Sequence, residues 1–410
     1  MFDVNKIRQD FPMLRKADAS DTPHIYFDNA STTFKPQVVI DAVTRYYTEE
    51  SVNIHRGDYD LSYQVSDEYE QARKAVARFI KSDVSEVVFT SGASASLNLV
   101  AYGWGRKYLK KGDVILSSEA EHASNILPWF KTAEETGAVI EYIELTDEGE
   151  LTLENFKKAM HAGVKVVAVA HITNVLGFIA PIKEMTVIAH EFGAVISVDG
   201  AQSVPHIPTD VKDWDIDFLS FSSHKMVGPT GVGVLFAKFK HLEAMDPFMI
   251  GGGNNARFDI CGNILLQKPP FKFEAGTPAI EAVLGFRAAI EYLEGVGMQA
   301  IEEAEHALRV YLVNALLEMP HIHVYNPHAA TGIVTINVDG IFAQDVALYL
   351  NSKGIAVRAG THCAKILVEV IKTSETVRIS LEFYNTQAEV DGLIEALRTV
   401  TLEQCIDLYL

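Results

Sequence analysis

The chain carries three cysteines in 410 residues, Cys261, Cys363 and Cys405, too few and too scattered for a disulfide framework or a Cys-x-x-Cys metal site. Positive charge is also short. Thirty-five lysines and arginines face 54 aspartates and glutamates, a formal net charge of −19, which opposes binding to nucleic acid or to an anionic membrane surface. No apolar run reaches membrane-spanning length. The opening Met1-Phe2-Asp3-Val4-Asn5-Lys6-Ile7-Arg8-Gln9-Asp10-Phe11-Pro12 has neither a basic n-region nor an apolar h-region, so no secretory leader is expected. Internal repeats and low-complexity tracts are missing too. With 48% hydrophobic and 22% charged residues, the composition is that of a globular enzyme; disordered and fibrous classes are excluded, and the expected compartment is the cytoplasm.

A chain of this length exceeds one simple core and suits a large α/β domain with a smaller one. Residues 1–22 read as an N-terminal helix and arm packing with the small domain, with Phe11-Pro12 stopping the helix. The large domain is expected over 23–293. A helix is predicted from Pro36 to about Tyr47, a loop at Asn53-Ile54-His55-Arg56-Gly57-Asp58, and from Ser66 an amphipathic helix carrying Tyr69, Ala72, Val76 and Phe79. Strands and helices then alternate, the signature of a mainly parallel sheet with crossover helices. The strands are read at 87–90, 114–117, 139–143, 166–171 and 194–199, before a hairpin around Lys225, and their near-continuous apolar runs imply burial on both faces. From about residue 294 the pattern changes to long amphipathic helices and the alternating strand Ile333-Val334-Thr335-Ile336-Asn337-Val338. This predicts a small α+β domain over 294–410, ending in a helix near 387–398.

Ligands of open α/β sheets sit beyond the carboxyl ends of the strands, where Ser94, His122, Asn174, Asp199 and Lys225 all fall. Lys225 follows a short apolar strand and a polar cluster, Ser222-Ser223-His224, and precedes a Gly/Pro turn. A fixed amine with a lowered pKa there is suited to Schiff-base chemistry; a lysine snorkelling from a strand end gives the same local pattern. Asp199, in Val198-Asp199-Gly200-Ala201-Gln202, is placed either to hold a pyridinium nitrogen protonated or to cap a helix. Gly92-Ala93-Ser94-Ala95-Ser96 between strand and helix makes an anion cradle from free first-turn N–H groups and small hydroxyls, or an ordinary Ser cap. His122 is placed either to lie over an aromatic group near the same crevice or, as one of 14 histidines, to be simply structural or solvated. Cys363, in Arg358-Ala359-Gly360-Thr361-His362-Cys363-Ala364, has the positive, polar setting that favours thiolate, whereas Cys261 and Cys405 read as structural. Arg378 within an apolar strand must meet a carboxylate, from the protein or from a substrate.

These residues together resemble the class V, fold-type I pyridoxal-phosphate enzymes, most closely the group II cysteine desulfurases of the Suf type and their selenocysteine-lyase relatives. The likeness runs from Tyr26-Phe27-Asp28-Asn29-Ala30 through Asn53-Ile54-His55-Arg56-Gly57, Glu121-His122-Ala123-Ser124-Asn125, Ser222-Ser223-His224-Lys225 and Phe273-Glu274-Ala275-Gly276-Thr277-Pro278 to Tyr384-Asn385-Thr386, nearly the whole chain. It implies the α/β transferase fold of that class, a seven-stranded, mainly parallel sheet with flanking helices, and pyridoxal 5′-phosphate as cofactor.

Carried over position by position, the resemblance implies that Lys225 holds the cofactor, His122 stacks on its ring, Asp199 pairs with its pyridine nitrogen, and Gln202 and Asn174 bond the ring oxygen side. Ser94, Ser222 and His224 would hold the phosphate, joined by Thr277 from the other subunit of a homodimer. Arg378 would bind the substrate carboxylate, with Arg358, His55 and Arg56 around the pocket, and Cys363 in the small domain would accept the sulfur of L-cysteine. Alanine is then the product, and the sulfur passes to a scaffold or shuttle protein of iron–sulfur cluster assembly. Selenocysteine lyase, or another class V reaction such as an aminotransferase or carbon–sulfur lyase, is the alternative. Two departures stand out: Ala95 replaces the family's usual glutamate after the cradle hydroxyl, and Thr361 replaces the first of two adjacent histidines before Cys363.

Overall fold

Runs of Val, Ile, Leu and Ala too short for helices form the frame of the molecule, seen in a computed structural model that describes residues 2–20 and 24–409. The boundary expected at 22/23 lies outside the described residues. In chain order the strands are β1 (Ile25–Tyr26), β2 (Val87–Thr90), β3 (Val114–Ser118), β4 (Val139–Ile143), β5 (Val164–Ala170), β6 (Val195–Asp199), β7 (Phe218–Ser222) and β8 (Gly233–Ala237). A hairpin of β9 (Asn255–Phe258) and β10 (Ile264–Leu266) follows, then β11 (Ile322–Val324), β12 (Ile333–Val338), β13 (Ile355–Ala356), β14 (Arg358–Gly360) and β15 (Thr376–Ser380).

Seven strands form one sheet in the order β2-β8-β7-β6-β5-β3-β4. Only β8 runs against the rest, because the tight turn after Lys225 returns the chain directly instead of through a crossover helix. β3 and β7 are buried at every position, as their apolar runs require. β4, at one sheet edge, differs: Val139 and Tyr142 are exposed, so the expectation of burial on both faces fails there, although β2 at the other edge is buried at three of its four positions. The helix expected from Ser66 begins earlier and spans Asp60–Ile80, burying Val65, Tyr69, Ala72, Val76 and Ile80 along one face.

A second sheet, β11-β12-β15-β14, is antiparallel throughout. Its core joins Phe27 to Leu312, Val334, Ile336, Val377, Ile379 and Leu393. The helix Ile280–Val296 belongs to the core of the large sheet, whereas the following helix Met298–Leu317 places Ile301 in that core and Leu312 and Leu316 in the second. The two hydrophobic cores therefore meet along this helix. At the N-terminus Pro12 does not simply stop a helix. Val4–Arg8 is one helix and Pro12–Asp18 a second, with proline in the first turn, where its missing N–H costs nothing. Phe11 packs on Tyr384 at 4.9 Å and on Phe383 at 6.1 Å between ring centroids, and Arg8 donates to Tyr384 O at 2.9 Å and Glu389 Oε1 at 3.0 Å.

Cys405 is buried, as a structural cysteine should be, but Cys261 is exposed between β9 and β10. Asp259 organises that turn, accepting from the N–H groups of Cys261 and Asn263, which leaves no core for a thiol to enter. Among the described residues no helix is long and apolar enough to cross a membrane.

Candidate active site

Parallel strands end together, so the loops after β2, β3, β5, β6 and β7 converge on one edge of the sheet. From that edge Ser94, His122, Asn174, Asp199 and Lys225 line a cavity of about 250 Å³, closed from the other side by Arg358, His362, Cys363 and Arg378. Gln202, Ser222 and His224 complete the walls.

Lys225 ends a single 3₁₀ turn, Ser223–Lys225, directly after β7, so its side chain starts from a rigid point. Removal from bulk water lowers its ammonium pKa to about 8, against the opposing attraction of Asp199. Asp199 is the last residue of β6, 6% exposed, and its Oδ1 accepts from Ala201 N at 2.9 Å. His122 caps the helix Ala123–Thr136, its Nδ1 accepting from Ser124 N at 3.1 Å. Burial keeps this imidazole below its usual pKa despite Asp199, so a neutral ring faces the cavity.

The cradle after β2 forms because two glycines let backbones meet. Gly92 has φ +151°, and a Cβ on Gly233 of β8 would lie 2.5 Å from Gly92 Cα. With that approach, Ala93 N donates to Ser222 Oγ at 2.7 Å, and Ser94 Oγ pairs with Ser124 Oγ at 2.7 Å. His224 lies beside them, held below its usual pKa, at about 4, by burial and by the adjacent Lys225 and Lys35. The backbone carbonyl of His224 accepts from Thr33 N at 3.1 Å and Lys35 Nζ at 3.0 Å.

Arg378 finds its carboxylate within the protein. Its Nη2 donates to Asp28 Oδ1 at 3.1 Å and Ser31 Oγ at 3.0 Å, and Nη1 donates to Asn174 O at 2.9 Å. Arg358 reaches the same group, donating to Ser31 Oγ at 3.0 Å and standing 3.9 Å from Asp28. Asp28 thus anchors both arginines, a role the sequence reading did not assign to it; the demand of a buried guanidinium for a carboxylate was the available signal.

Cys363 is exposed at the cavity mouth, on a turn in which Gly360, His362 and Cys363 have φ of 118°, 50° and 61°. Two successive non-glycine residues in this region are costly, by about 1–2 kcal/mol each, and three anchors hold them. His362 Nε2 lies 3.0 Å from Thr376 Oγ1, His362 O accepts from Asn174 Nδ2 at 2.8 Å, and Cys363 O accepts from Ala123 N at 2.8 Å. Burial lowers the His362 pKa to about 3, so this histidine is a neutral strut.

His55, Arg56 and Thr277 do not reach this cavity within the chain. His55 and Arg56 line a separate cavity with Gly276 and Phe271, where His55 Nε2 lies 3.4 Å from Glu70 and Thr277 Oγ1 accepts from Asn53 at 3.3 Å. Glu121, another residue the sequence reading left without a role, is 3% exposed below the cavity loops. It accepts from Ser118 Oγ at 2.6 Å and Asn125 Nδ2 at 2.7 Å, yet burial pushes its carboxyl up to about 7.

The donor set fits pyridoxal phosphate. Gln202 Oε1, Asn174 Oδ1 and Arg378 Nε are buried without hydrogen-bond partners on residues lining the cavity. They offer two acceptors and one donor beside a carboxylate, a lysine, a neutral imidazole and a helix start.

Comparison with known proteins gives one picture. The profile of the aminotransferase class-V family matches residues 25–393. A probable cysteine desulfurase of Halalkalibacterium halodurans is 42% identical over 397 residues, covering 96% of this chain and 97% of that one. A cysteine desulfurase of Haloferax volcanii is 40% identical over 410 residues, covering 96% of each. Among solved structures, a cysteine desulfurase of Thermococcus onnurineus superimposes with a TM-score of 0.91 at 38% identity, covering 96% of this chain and 97% of its own. The cysteine desulfurase CsdA of Escherichia coli does so with 0.90 at 32% identity, covering 100% and 99%.

Proposed function

Because this chain belongs to the aminotransferase class-V family and is a pyridoxal-phosphate-dependent cysteine desulfurase, we propose how its own residues take sulfur from L-cysteine. The observation that carries the reading is one cavity lined by Lys225, Asp199 and Cys363. Bound there, pyridoxal phosphate supplies an electron sink for the negative charge left at the substrate Cα. Lys225, Asp199, His122, Gln202 and Asn174 hold its ring end, and Ser94, Ser222, His224 and the N–H groups after Gly92 hold its phosphate. Asp199 keeps a proton on the ring nitrogen by its negative charge.

The unpartnered Nε of Arg378 is the donor assigned to the substrate carboxylate, with Arg358 at the mouth. Lys225, whose amine is lowered to about 8, takes the Cα proton and returns it, because a group titrating near working pH is available in both forms. Cys363 as thiolate attacks the substrate sulfur. The new S–S bond forms as the substrate Cβ–S bond breaks, leaving a persulfide on Cys363 and, after protonation at carbon, alanine. Presentation of Cys363 on an exposed turn suits onward transfer to a thiol of an acceptor protein of iron–sulfur assembly. The proposed large and small units, 23–293 and 294–410, contribute Lys225 and Cys363 respectively, and the protein acts as a cytoplasmic homodimer.

The test is alanine formation from L-cysteine by native protein and Cys363→Ala with the cofactor absorbance of each recorded. The expected result is at least a hundredfold loss of alanine with the absorbance retained, since removing an essential nucleophile commonly costs on the order of 10⁴ or more. Undiminished alanine formation would reject the persulfide step and bring selenocysteine forward as substrate.

A further inference from the structure

A second convergence of polar side chains lies outside the reaction cavity. His206 lies in the turns after β6, Glu305 on the helix Met298–Leu317, and Glu382 two residues beyond β15. One ligand-type atom from each lies within 4.8 Å of the others. His206 Nδ1 stands 2.9 and 3.1 Å from the two Glu305 oxygens. Glu305 is 3% exposed and Glu382 1%; their two carboxyl groups meet each other, and Glu382 Oε2 is buried with no N–H or hydroxyl donor facing it. Among the described residues the ion-pair contact of these carboxylates is His206 to Glu305, and no lysine or arginine pairs with either.

Two carboxylates buried together repel when both are ionised, so such a pair holds either a proton or a cation. The surroundings favour the cation. An adjoining cavity of about 270 Å³ is lined by His206 and Glu305 and also by Glu302, Glu303 and His306, so a positive ion approaches along an acidic wall. We infer that His206, Glu305 and Glu382 form a binding site for a divalent first-row cation of the Mn²⁺ or Fe²⁺ kind, with water completing its shell. One imidazole and two carboxylates, with no thiolate, is a donor set matched to these ions. Metal–ligand bonds of about 2.1 Å place ligand atoms at most about 4.2 Å apart, so the widest separation, up to 4.8 Å, closes by about 0.6 Å or more on binding. The ion ties the segment following Asp199 and Gln202 to the strand end following Arg378, and takes no part in the sulfur chemistry.

The probe is Mn²⁺ alone, titrated into the cofactor-loaded native protein and read from the loss of the free-ion paramagnetic resonance signal. Glu382→Gln and His206→Gln are titrated beside it, with retained cofactor absorbance as the sign that each has folded. One Mn²⁺ per chain is expected, with affinity at least about tenfold weaker in either variant, since changes merely adjacent to metal ligands already cost about 10–100-fold. In native crystals soaked with Mn²⁺, the anomalous peak is expected among the three side chains, a result that needs no variant to fold. Failure of the native protein to take up Mn²⁺ stoichiometrically would mean that the carboxylates share a proton, and the site would be rejected. An anomalous peak elsewhere, or unchanged affinity in the folded variants, would reject it equally.

Discussion

Glu121 is the residue whose environment conflicts most with its chemistry. A carboxyl held at about 7 in the folded protein and about 4.3 when unfolded contributes stability that is complete below the unfolded value. That contribution is lost as pH rises through the folded one, because unfolding releases the proton that burial retains. The difference amounts to about 4 kcal/mol across the interval. Glu121→Gln removes this dependence, and the Ser118 hydroxyl can turn to meet the new amide. Thermal melts at pH 5 and pH 8 should therefore show the variant gaining on the native protein as pH rises. An equal offset at both pH values would mean that the carboxyl is already ionised when folded.

At the scale of the element, the junction of β8 with the helix starting at Ala93 is the least tolerant place in the site. A methyl group on Gly233 meets the Gly92 backbone at 2.5 Å and the Phe221 carbonyl at 2.7 Å, and neither can swing aside as a long side chain would. Gly233→Ala must push the cradle away from Ser222, with an overpacking cost of about 1–3 kcal/mol. Pyridoxal phosphate should dissociate more readily, seen as loss of its absorbance on dialysis, together with a lower melting temperature. Full cofactor retention would show that the close approach does not set the cradle's geometry. The Cys363 turn makes the opposite use of backbone strain. Its left-handed residues are held by Asn174, Thr376 and Ala123, so the thiol faces the mouth without being packed by it.

For the whole molecule, the separate cavity holding His55 and Arg56 is explained if each subunit of a homodimer completes its partner's site. A hybrid dimer of one Lys225→Ala chain with one Arg56→Ala chain distinguishes the arrangements. If Arg56 serves across the interface, the Arg56→Ala chain keeps Lys225 and receives an intact arginine, giving about half the native activity per dimer. An inactive hybrid would show that Arg56 serves its own chain, or that the two sites cannot work singly.

Much of this site was legible because it depends on local pattern. Apolar runs mark the strands, parallel strands end on one edge, and the polar residues just beyond them, Ser94, His122, Asn174, Asp199 and Lys225, had to meet there. The motif likeness extended this to Cys363 and Arg378. What only the tertiary structure decided involves positions far apart in the chain: Asp28 under Arg378 across 350 residues, Glu305 beside His206 across 99, and His55 and Arg56 in a cavity of their own. Periodicity reports the state of the backbone around each residue. The partner of a buried charge depends instead on how distant elements pack, and Cys261, exposed on its turn, differs from buried Cys405 for the same reason.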